Sequence, residues 1–494
     1  MKNALYKFFH IQEHGGLIKT EIIGGIVTFI SMVYILPLNA SILSSMGMSS
    51  TGVFAVTAIV SCAVTLIMGL VANYPIVLST GMGLNAFLAY TLTEALGFHS
   101  WQQKMIVLTI TGIIYFAFSL TPLRRKLVEA IPKDLKNVIS ACLGGFIAFV
   151  GLKGSNIVVS SPSTLVTMGN LADPAMLISF IAIFLCLGLM FTKNRILSLL
   201  AIPVSIMFAA IVGVVTSSIM FANGAISQLA DGSFVYSTGN AIIDDCPMNL
   251  PLAISISQPQ WGASGIKDVF MFGLLTDAYD GATFAKDLGY VFTIPATYVA
   301  IFSLMFVKLF DSTATLIAVG EKTGMVADDG SMTNYRKATL ADATGTLICG
   351  PLGTSAVSPF AESNIGIALG AKTGLSACIA AILFLIATFC YPIFSFFTAS
   401  SVTAAALMCV GAIIVVGAFK GLSKHDPIIP FVAVIGILFA VLTYSIANGI
   451  GVAFIAYTSA MIIANRRKEI PLAIYIITGL YILSFVLNTL ITLM

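Results

Sequence analysis

The chain has 494 residues, of which 58% are hydrophobic and only 9% are charged, and its mean hydropathy is +1.01. A soluble domain carries about 25% charged residues, so this composition excludes an ordinary water-soluble fold; the net charge of +3 says little by itself. The cysteines are scattered without a CxxC pair, so neither a disulfide framework nor a metal site is indicated. We therefore predict an all-α polytopic membrane protein.

Most of the chain consists of apolar stretches close to the roughly 20 residues that a membrane-spanning helix needs. We predict fourteen spans, at 21–44, 51–72, 76–92, 104–122, 138–155, 174–191, 196–222, 292–318, 338–353, 357–371, 374–396, 400–419, 427–445 and 448–465. A polar segment from 223 to 291 separates the seventh span from the eighth. A last apolar stretch, 470–494, is either a fifteenth span or a helix lying along the bundle.

The basic residues predict an orientation, because Lys and Arg accumulate in cytoplasmic loops. With the N-terminus inside, nineteen of the 24 basic residues face the cytoplasm, among them the cluster Arg466-Arg467-Lys468. Residues 1–20 show no cleavable signal, so we expect the first span to direct insertion. The sequence thus predicts a multi-pass protein of the plasma or inner membrane with a cytoplasmic N-terminus.

Two sequence patterns recur in the two halves of the chain. Residues 65–69 (TLIMG) return as 346–350 (TLICG), and residues 31–39 (SMVYILPLN) resemble 303–311 (SLMFVKLFD). Each pair lies in the first or second span of its half. Because each half has an odd number of spans, we predict two inverted seven-span repeats, an architecture typical of transporters.

Three acidic residues, Asp311, Asp342 and Glu362, fall well inside predicted spans. A charge near the bilayer centre costs at least ~2.5–3.5 kcal/mol, so such residues are functional candidates. For Asp311 the alternative is a local ion pair with Lys308, three residues earlier on the same helical face. For Asp342, which small residues flank, a packing or hydrogen-bonding role is equally compatible with the sequence.

The third and tenth spans are both interrupted by glycine. Residues 81–85 (GMGLN) follow Pro75, and residues 350–355 (GPLGTS) precede Glu362. Broken helices at corresponding places in two halves point to a binding site near the membrane midplane, because half-helix N-termini present N–H groups and a positive dipole end. The alternative is that the small residues only allow close helix packing.

These residues resemble the nucleobase:cation symporter family, in its adenine/guanine/hypoxanthine permease branch. The resemblance covers nearly the whole chain and rests on 72–75 (ANYP), 81–87 (GMGLNAF), 309–311 (LFD), 340–343 (LADA), 353–355 (GTS), 362–363 (ES) and 444–449 (YSIANG). It implies the uracil/xanthine permease fold: a core domain of spans 1–4 and 8–11 that holds substrate, and a gate domain of spans 5–7 and 12–14 that often forms a homodimer.

On this division the chain has seven parts. They are a cytoplasmic N-terminus (1–20), two core parts (21–122 and 292–396), two gate parts (123–222 and 397–465), an extracytoplasmic connecting segment (223–291), and a basic cluster with a terminal apolar helix (466–494).

The resemblance implies substrate-binding or proton-coupling roles for Asn85, Asp311, Glu362 and Thr315, and we predict further site residues around the two breaks. Glu362 would accept hydrogen bonds from N–H groups of a base, Phe87 or Phe360 would stack on it, and Asp311, desolvated by burial, would bind the coupling proton near neutral pH. Glu362 would share in the coupling. The predicted substrate-binding residues are Glu362, Asn85, Gly83, Phe87, Phe360, Ser363, Asn364 and Thr315. No metal and no cofactor besides the proton are predicted.

The predicted function is uptake of a purine base such as guanine, hypoxanthine or adenine by proton symport, with the core sliding against the gate. The predicted partners are the base and the lipid bilayer, not nucleic acid. Lys308 stands where an acidic residue is usual, so transport of anions or of other nucleobases on the same fold remains the alternative. An enzyme or a receptor would need a nucleophile set or an output domain, and neither is visible.

Overall fold

The structure is a computed structural model. It describes residues 6–13, 16–92, 97–122, 124, 131–161, 164–194, 197–198, 200–223, 226–228, 234–238, 241–242, 265–274, 279–323, 334–360, 362–390, 399–422 and 426–493.

The described part of the chain is mostly helical. Its α-helices are α1 (Ile18–Met32), α2 (Ile35–Ser44), α3 (Ser50–Ile67), α4 (Met82–Ala86), α5 (Trp101–Leu120), α6 (Lys133–Gly154), α7 (Pro174–Met190), α8 (Ala201–Ala222), α9 (Ile266–Val269), α10 (Gly281–Thr293), α11 (Pro295–Thr323), α12 (Tyr335–Leu352), α13 (Ser363–Ala368), α14 (Gly374–Ala387), α15 (Ser400–Lys420), α16 (Ile428–Leu442), α17 (Ile446–Ile463) and α18 (Leu472–Leu493). Turns of π-helix, Met68–Ala72 and Phe87–Thr91, extend α3 and α4, and short 3₁₀ turns lie at Phe270–Gly273, Thr388–Cys390 and Arg467–Glu469.

In the described residues seven short strands accompany the helices, so this part of the chain is mostly but not purely α-helical. They are β1 (Leu78–Thr80), β2 (Val158–Ser161), β3 (Leu165–Met168), β4 (Ile226–Gln228), β5 (Phe234–Thr238), β6 (Ala241–Ile242) and β7 (Val357–Pro359). They pair as β1–β7, β2–β3 and β4–β5–β6. The last sheet lies in the predicted connecting segment 223–291, most of which is outside the described residues.

Eight helices of the described chain are long and apolar enough to cross a membrane, and four shorter apolar helices accompany them. Their positions agree with the predicted spans to within a few residues for most of the chain. The composition and these helices together identify a multi-pass membrane protein. The predicted third and tenth spans differ from the others, because each consists of a strand followed by a short helix.

Helices α3 and α12 end just before the broken third and tenth spans. The π turn after α3 ends at Asn73, whose φ of 56° is left-handed. Helix α12 ends at Gly353, with φ of 82°, a conformation that glycine adopts without steric cost. A Cβ at Gly353 would lie 2.4 Å from the carbonyl oxygen of Val269, so close backbone packing also requires glycine there.

The helices pack in two groups. In the first group α5 packs against α12, and α14 packs against α1 and α3. In the second, α6 packs against α15 and α16, while α7 and α8 pack against α15 and against each other. The strands β1 and β7 belong to the first group, and α4, which follows β1, contacts α6. The broken spans therefore lie between the two groups.

The terminal helix α18 packs along α17 and α11. The hydroxyl oxygens of Thr458 and Thr478 are 2.8 Å apart, and the rings of Phe302 and Tyr481 lie 5.5 Å apart between centroids. The predicted last apolar stretch is therefore a helix that is held against the bundle by specific contacts.

Backbone contact between α3 and α14 depends on glycine. A Cβ at Gly374 would lie only 2.0 Å from the carbonyl oxygen of Gly69. We therefore expect Gly374→Ala to force the helices apart and to lower the unfolding free energy by about 1–3 kcal/mol, the usual cost of overpacking. Thermal unfolding of the detergent-purified protein measures this loss.

The matched control is Gly188→Ala in α7, where an added Cβ meets no atom within 4 Å of the described structure. There alanine should be neutral or stabilising by up to about 1 kcal/mol, because glycine is the poorer helix former. Equal melting temperatures for the two variants would contradict the close approach of α3 and α14.

Candidate functional site

The breaks in the third and tenth spans are joined by an antiparallel strand pair. Ser79 of β1 lies opposite Ser358 of β7, and the amide of Gly81 donates to the carbonyl of Ala356 at 2.9 Å. An unsatisfied backbone group inside a bilayer costs several kcal/mol. The strand pair removes this cost, so both spans can leave the helical conformation at the same level.

Side-chain hydroxyls satisfy further backbone groups of β1. Thr65 Oγ1 accepts from the amide of Leu78 and donates to its carbonyl, both at 3.0 Å. Ser363 Oγ accepts from the amide of Val77 at 3.0 Å and is fully buried. Ser363, a predicted binding residue, thus supports the strand and does not line the cavity described next.

A cavity of roughly 490 Å³ lies between the two helix groups. One wall is formed by residues of α4, β7, α11 and α13, and the other mainly by apolar residues of α6, α8 and α15, such as Leu143 and Ile414. Its volume is in the range of small-molecule sites, about 300–1,000 Å³, and such sites combine apolar walls with a few convergent polar groups. We call it the central cavity.

Asp311 lines the central cavity from α11, and Thr315 lines it one turn later. A Cβ added to Gly81 would lie 2.5 Å from Ser358 Oγ and 3.7 Å from Asp311 Oδ2. The backbone between β1 and α4 therefore passes directly beside the carboxylate. Asp311, a site residue predicted in the eighth span, therefore lies beside the break in the third span.

Glu362 lines the same cavity just before α13. Its Oε1 accepts a hydrogen bond of 2.9 Å from the hydroxyl of Tyr34, a buried residue between α1 and α2. Sequence reasoning missed Tyr34 as a site residue, although it lies within the repeated run 31–39. A polar aromatic side chain inside a span was the signal that could have identified it.

The other predicted binding residues separate into two sets. Gly83, Phe360 and Asn364 line the central cavity. Asn85 is fully buried in α4 without lining that cavity, and its amide atoms have no hydrogen-bond partner among the described residues. Phe87 is also buried and lines a second cavity. Thus the structure brings together three of these five positions.

The local ion pair between Lys308 and Asp311, which the sequence left open as an alternative, is not the one that forms, because Lys308 pairs with another carboxylate. Its Nζ contacts Asp342 Oδ1 of α12 and donates to Ser312 Oγ at 2.6 Å. Lys308 is almost fully buried and does not line the central cavity. Spacing along one helix predicted the wrong partner because the neighbouring helix supplies a closer one.

Asp342 is the centre of a buried charged cluster. Its Oδ2 accepts from the hydroxyl of Tyr115 at 3.0 Å and lies 3.3 Å from Arg124 Nη2. Arg124 also donates to Ser119 Oγ at 3.1 Å. The cluster contains two cations for one anion, and Asp311 lies one turn along α11 from Lys308. Asp342 therefore forms ion pairs and a hydrogen bond in addition to packing. The sequence alone did not decide between these roles.

Comparison with known proteins is consistent with this geometry. Residues 19–427 match the model of a permease family. The guanine/hypoxanthine permease PbuG of Bacillus subtilis is 34% identical over 492 residues, covering 97% of this chain and 99% of the relative. The adenine permease AdeQ of Escherichia coli (strain K12) is 29% identical over 484 residues, covering 98% of this chain and 96% of the relative.

Among solved structures, the transmembrane domain of a cyanobacterium bicarbonate transporter, BicA, has a similar fold. The TM-score is 0.55 with 14% identity, and the match covers 88% of this chain and 97% of that domain. At this level of identity, the similarity concerns the fold alone.

Proposed function

Because this chain belongs to the nucleobase permease family, we propose that it imports purine bases by proton symport. The observation that carries the proposal is the central cavity, where the carboxylates of Asp311 and Glu362 and the amide of Asn364 converge between the strand pair and an apolar wall. The relatives named as guanine/hypoxanthine and adenine permeases support a purine as the substrate.

In this proposal Glu362 and Asn364 recognise the edge of the base. Tyr34 already donates to Glu362 Oε1, which fixes the carboxylate and leaves Oε2 to accept from a ring or exocyclic N–H. The amide of Asn364 can both donate and accept, as a purine edge requires. Phe360 and the apolar residues of α6 and α15 would contact the faces of the ring.

Asp311 is the proposed coupling residue. It lines the cavity beside Gly81, so a proton bound there could enter and leave with the base. Lys308, the alternative ion-pair partner of Asp311, is held by Asp342 and Ser312 instead. Because Lys308 is paired with Asp342, we propose Asp311, and not Asp342, as the carboxylate that binds the proton.

Movement of the first helix group against the second would expose the cavity to each side in turn. The cavity lies on the boundary between these groups, one wall from each, which supports an elevator-type mechanism. The core would then carry the base past the gate helices α6, α8 and α15.

The alternative of anion transport receives little support from the cavity lining. Among the described residues that form it, the charged ones are the carboxylates Asp311 and Glu362, which would repel an anion. Lys308, the residue that had favoured this alternative, is buried away from the cavity.

The test is uptake of radiolabelled hypoxanthine, guanine and adenine in cells that lack their own purine permeases, with and without a protonophore. We expect saturable uptake of at least one base that the protonophore abolishes. Uptake that resists the protonophore would contradict symport, and no uptake by a correctly inserted protein would contradict the purine assignment.

We expect Glu362→Gln to weaken purine binding by roughly 10–100-fold, because hydrogen bonds to a charged group contribute about 1.5–3 kcal/mol. Equilibrium binding of radiolabelled base to the purified protein measures the change. Glu13→Gln is the matched control, since Glu13 is largely exposed and pairs only locally with His10. Equal affinities for the two variants would exclude Glu362 from recognition.

A further inference from the structure

A second cavity, of roughly 620 Å³, lies along the same boundary between the helix groups. Helices α11 and α17 each line both cavities. On α11, Ser303 lines the second cavity and Val307 the central one. On α17, Asn448 lines the second cavity and Ile450 the central one. Four residues of α-helix rise by about 6 Å. The two cavities therefore follow one another along the same helices, about one helical turn apart.

Apolar side chains of α6 and α17 lie close to Gly83, between the two cavities. A Cβ at Gly83 would lie 2.2 Å from Leu143 Cδ1 and 3.7 Å from Ile446 Cδ1. Gly83 and Leu143 line the central cavity, and Ile446 lies between Ser445 and Ala447, which line the second. Side chains of α6 and α17 therefore meet α4 between the two spaces.

The second cavity presents aromatic faces and a cation. The rings of Tyr90 and Tyr444 lie 5.5 Å apart between centroids, and Lys153 Nζ lies 4.1 Å from the centre of the Tyr444 ring. Phe87, predicted from sequence to stack on a base, lines this cavity and not the central one. Aromatic faces stack on bases with about 1–3 kcal/mol per base, and the lysine can donate to a carbonyl or ring nitrogen.

Two hydroxyls of this cavity are unpaired within the described part of the chain. Thr91 Oγ1 and Ser303 Oγ are buried, and neither has a hydrogen-bond partner among the residues that the structure describes. A buried polar group without a partner is costly and uncommon. Tyr444 also adopts a left-handed φ of 50°, which is strained for a residue with a side chain. Thr91 and Ser303 both line the cavity, so after a change of side-chain rotamer a polar occupant could bind the two hydroxyls.

We propose that the second cavity is a second purine-binding site, next to the central cavity on the transport path. Here a base would stack on Tyr90, accept from Lys153 where it lies over the Tyr444 ring, and exchange hydrogen bonds with Thr91 and Ser303. This inference rests on the proposed function, because it places the same substrate class one turn further along the path.

The test measures binding stoichiometry of the full-length protein, purified in detergent, with radiolabelled hypoxanthine, guanine and adenine. We expect two sites per chain, one weakened roughly 10–100-fold by Glu362→Gln and the other weakened at least about tenfold by Tyr90→Leu. Tyr90→Phe keeps the ring and should retain the second site. Tyr298→Leu, an exposed tyrosine of α11 outside the cavity, is the matched control.

Ser303→Ala separates a ligand role from a structural one. We expect weaker binding at the second site with an unchanged melting temperature, because the hydroxyl has no described protein partner to lose. A lower melting temperature with unchanged affinity would overturn the role of Ser303 as a ligand contact.

The outcomes separate the two proposals. A single site that depends on Glu362 and is unaffected by Tyr90→Leu would overturn the second site and leave the proposed function intact. Absence of binding of all three bases to a folded, monodisperse protein would overturn both.

Discussion

Replacing Asp342 with asparagine is expected to destabilise the protein by about 3–5 kcal/mol, because Lys308 and Arg124 would remain buried without a counter-charge. Both cations are nearly inaccessible to solvent, so water cannot replace the carboxylate. Thermal unfolding of the detergent-purified protein should show a fall in melting temperature of roughly 5 °C or more.

The loss of stability in Asp342→Asn should come from the unpaired buried cations more than from the lost hydrogen bonds of the carboxylate. Lys308→Met removes one cation while Asp342 keeps Arg124 and Tyr115, so we expect a smaller loss than for Asp342→Asn. The double variant Lys308→Met/Asp342→Asn should be more stable than Asp342→Asn alone, since residues of one network are not additive. A double variant as unstable as the sum of both changes would contradict this account.

Replacing Asp311 with asparagine is expected to abolish accumulation of the base while exchange continues. The amide occupies a similar volume on the cavity wall but cannot bind and release a proton near neutral pH. Uptake into vesicles with an imposed pH gradient should therefore end at a concentration ratio of about one. Exchange of radiolabelled for unlabelled base across the same vesicles should persist.

The control for this variant is Asp280→Asn, just before α10. Asp280 caps that helix by accepting from the amide of Thr283 at 2.7 Å, and asparagine serves as a cap equally well. We expect this variant to accumulate base normally. An Asp311→Asn protein that still concentrates base against its gradient would disprove the coupling role.

Sequence reasoning was most informative where energetic cost alone selects residues. Charged groups inside apolar spans are expensive, and this rule by itself selects Asp311, Asp342 and Glu362 from the sequence. Glycine and proline likewise locate the breaks in the third and tenth spans. The paired strands were not foreseen, because pairing depends on two segments separated by nearly 280 residues in the chain.

Partners on other helices were the main failure of sequence reasoning. Lys308 has Asp311 on its own helical face, yet its ion pair forms with Asp342 on α12. Tyr34 contacts Glu362 although 328 positions separate them. Phe87 follows the glycine-rich break directly, but the turn of the helix places it at the second cavity and not at the central cavity. Periodicity describes a single helix, whereas these relations arise from the packing of several.

The strand pair also affects how a bound molecule would travel. Hydrogen bonds from Gly81 to Ala356 and from Phe360 to Val77 tie the two broken spans together on both sides of the register. We expect these segments to behave as one stiff cradle, so cargo held by Glu362 beside Gly81 keeps its orientation when the helix groups shift. The opposite wall, formed by α6, α8 and α15, would then be the only part of the cavity whose position changes relative to the cargo.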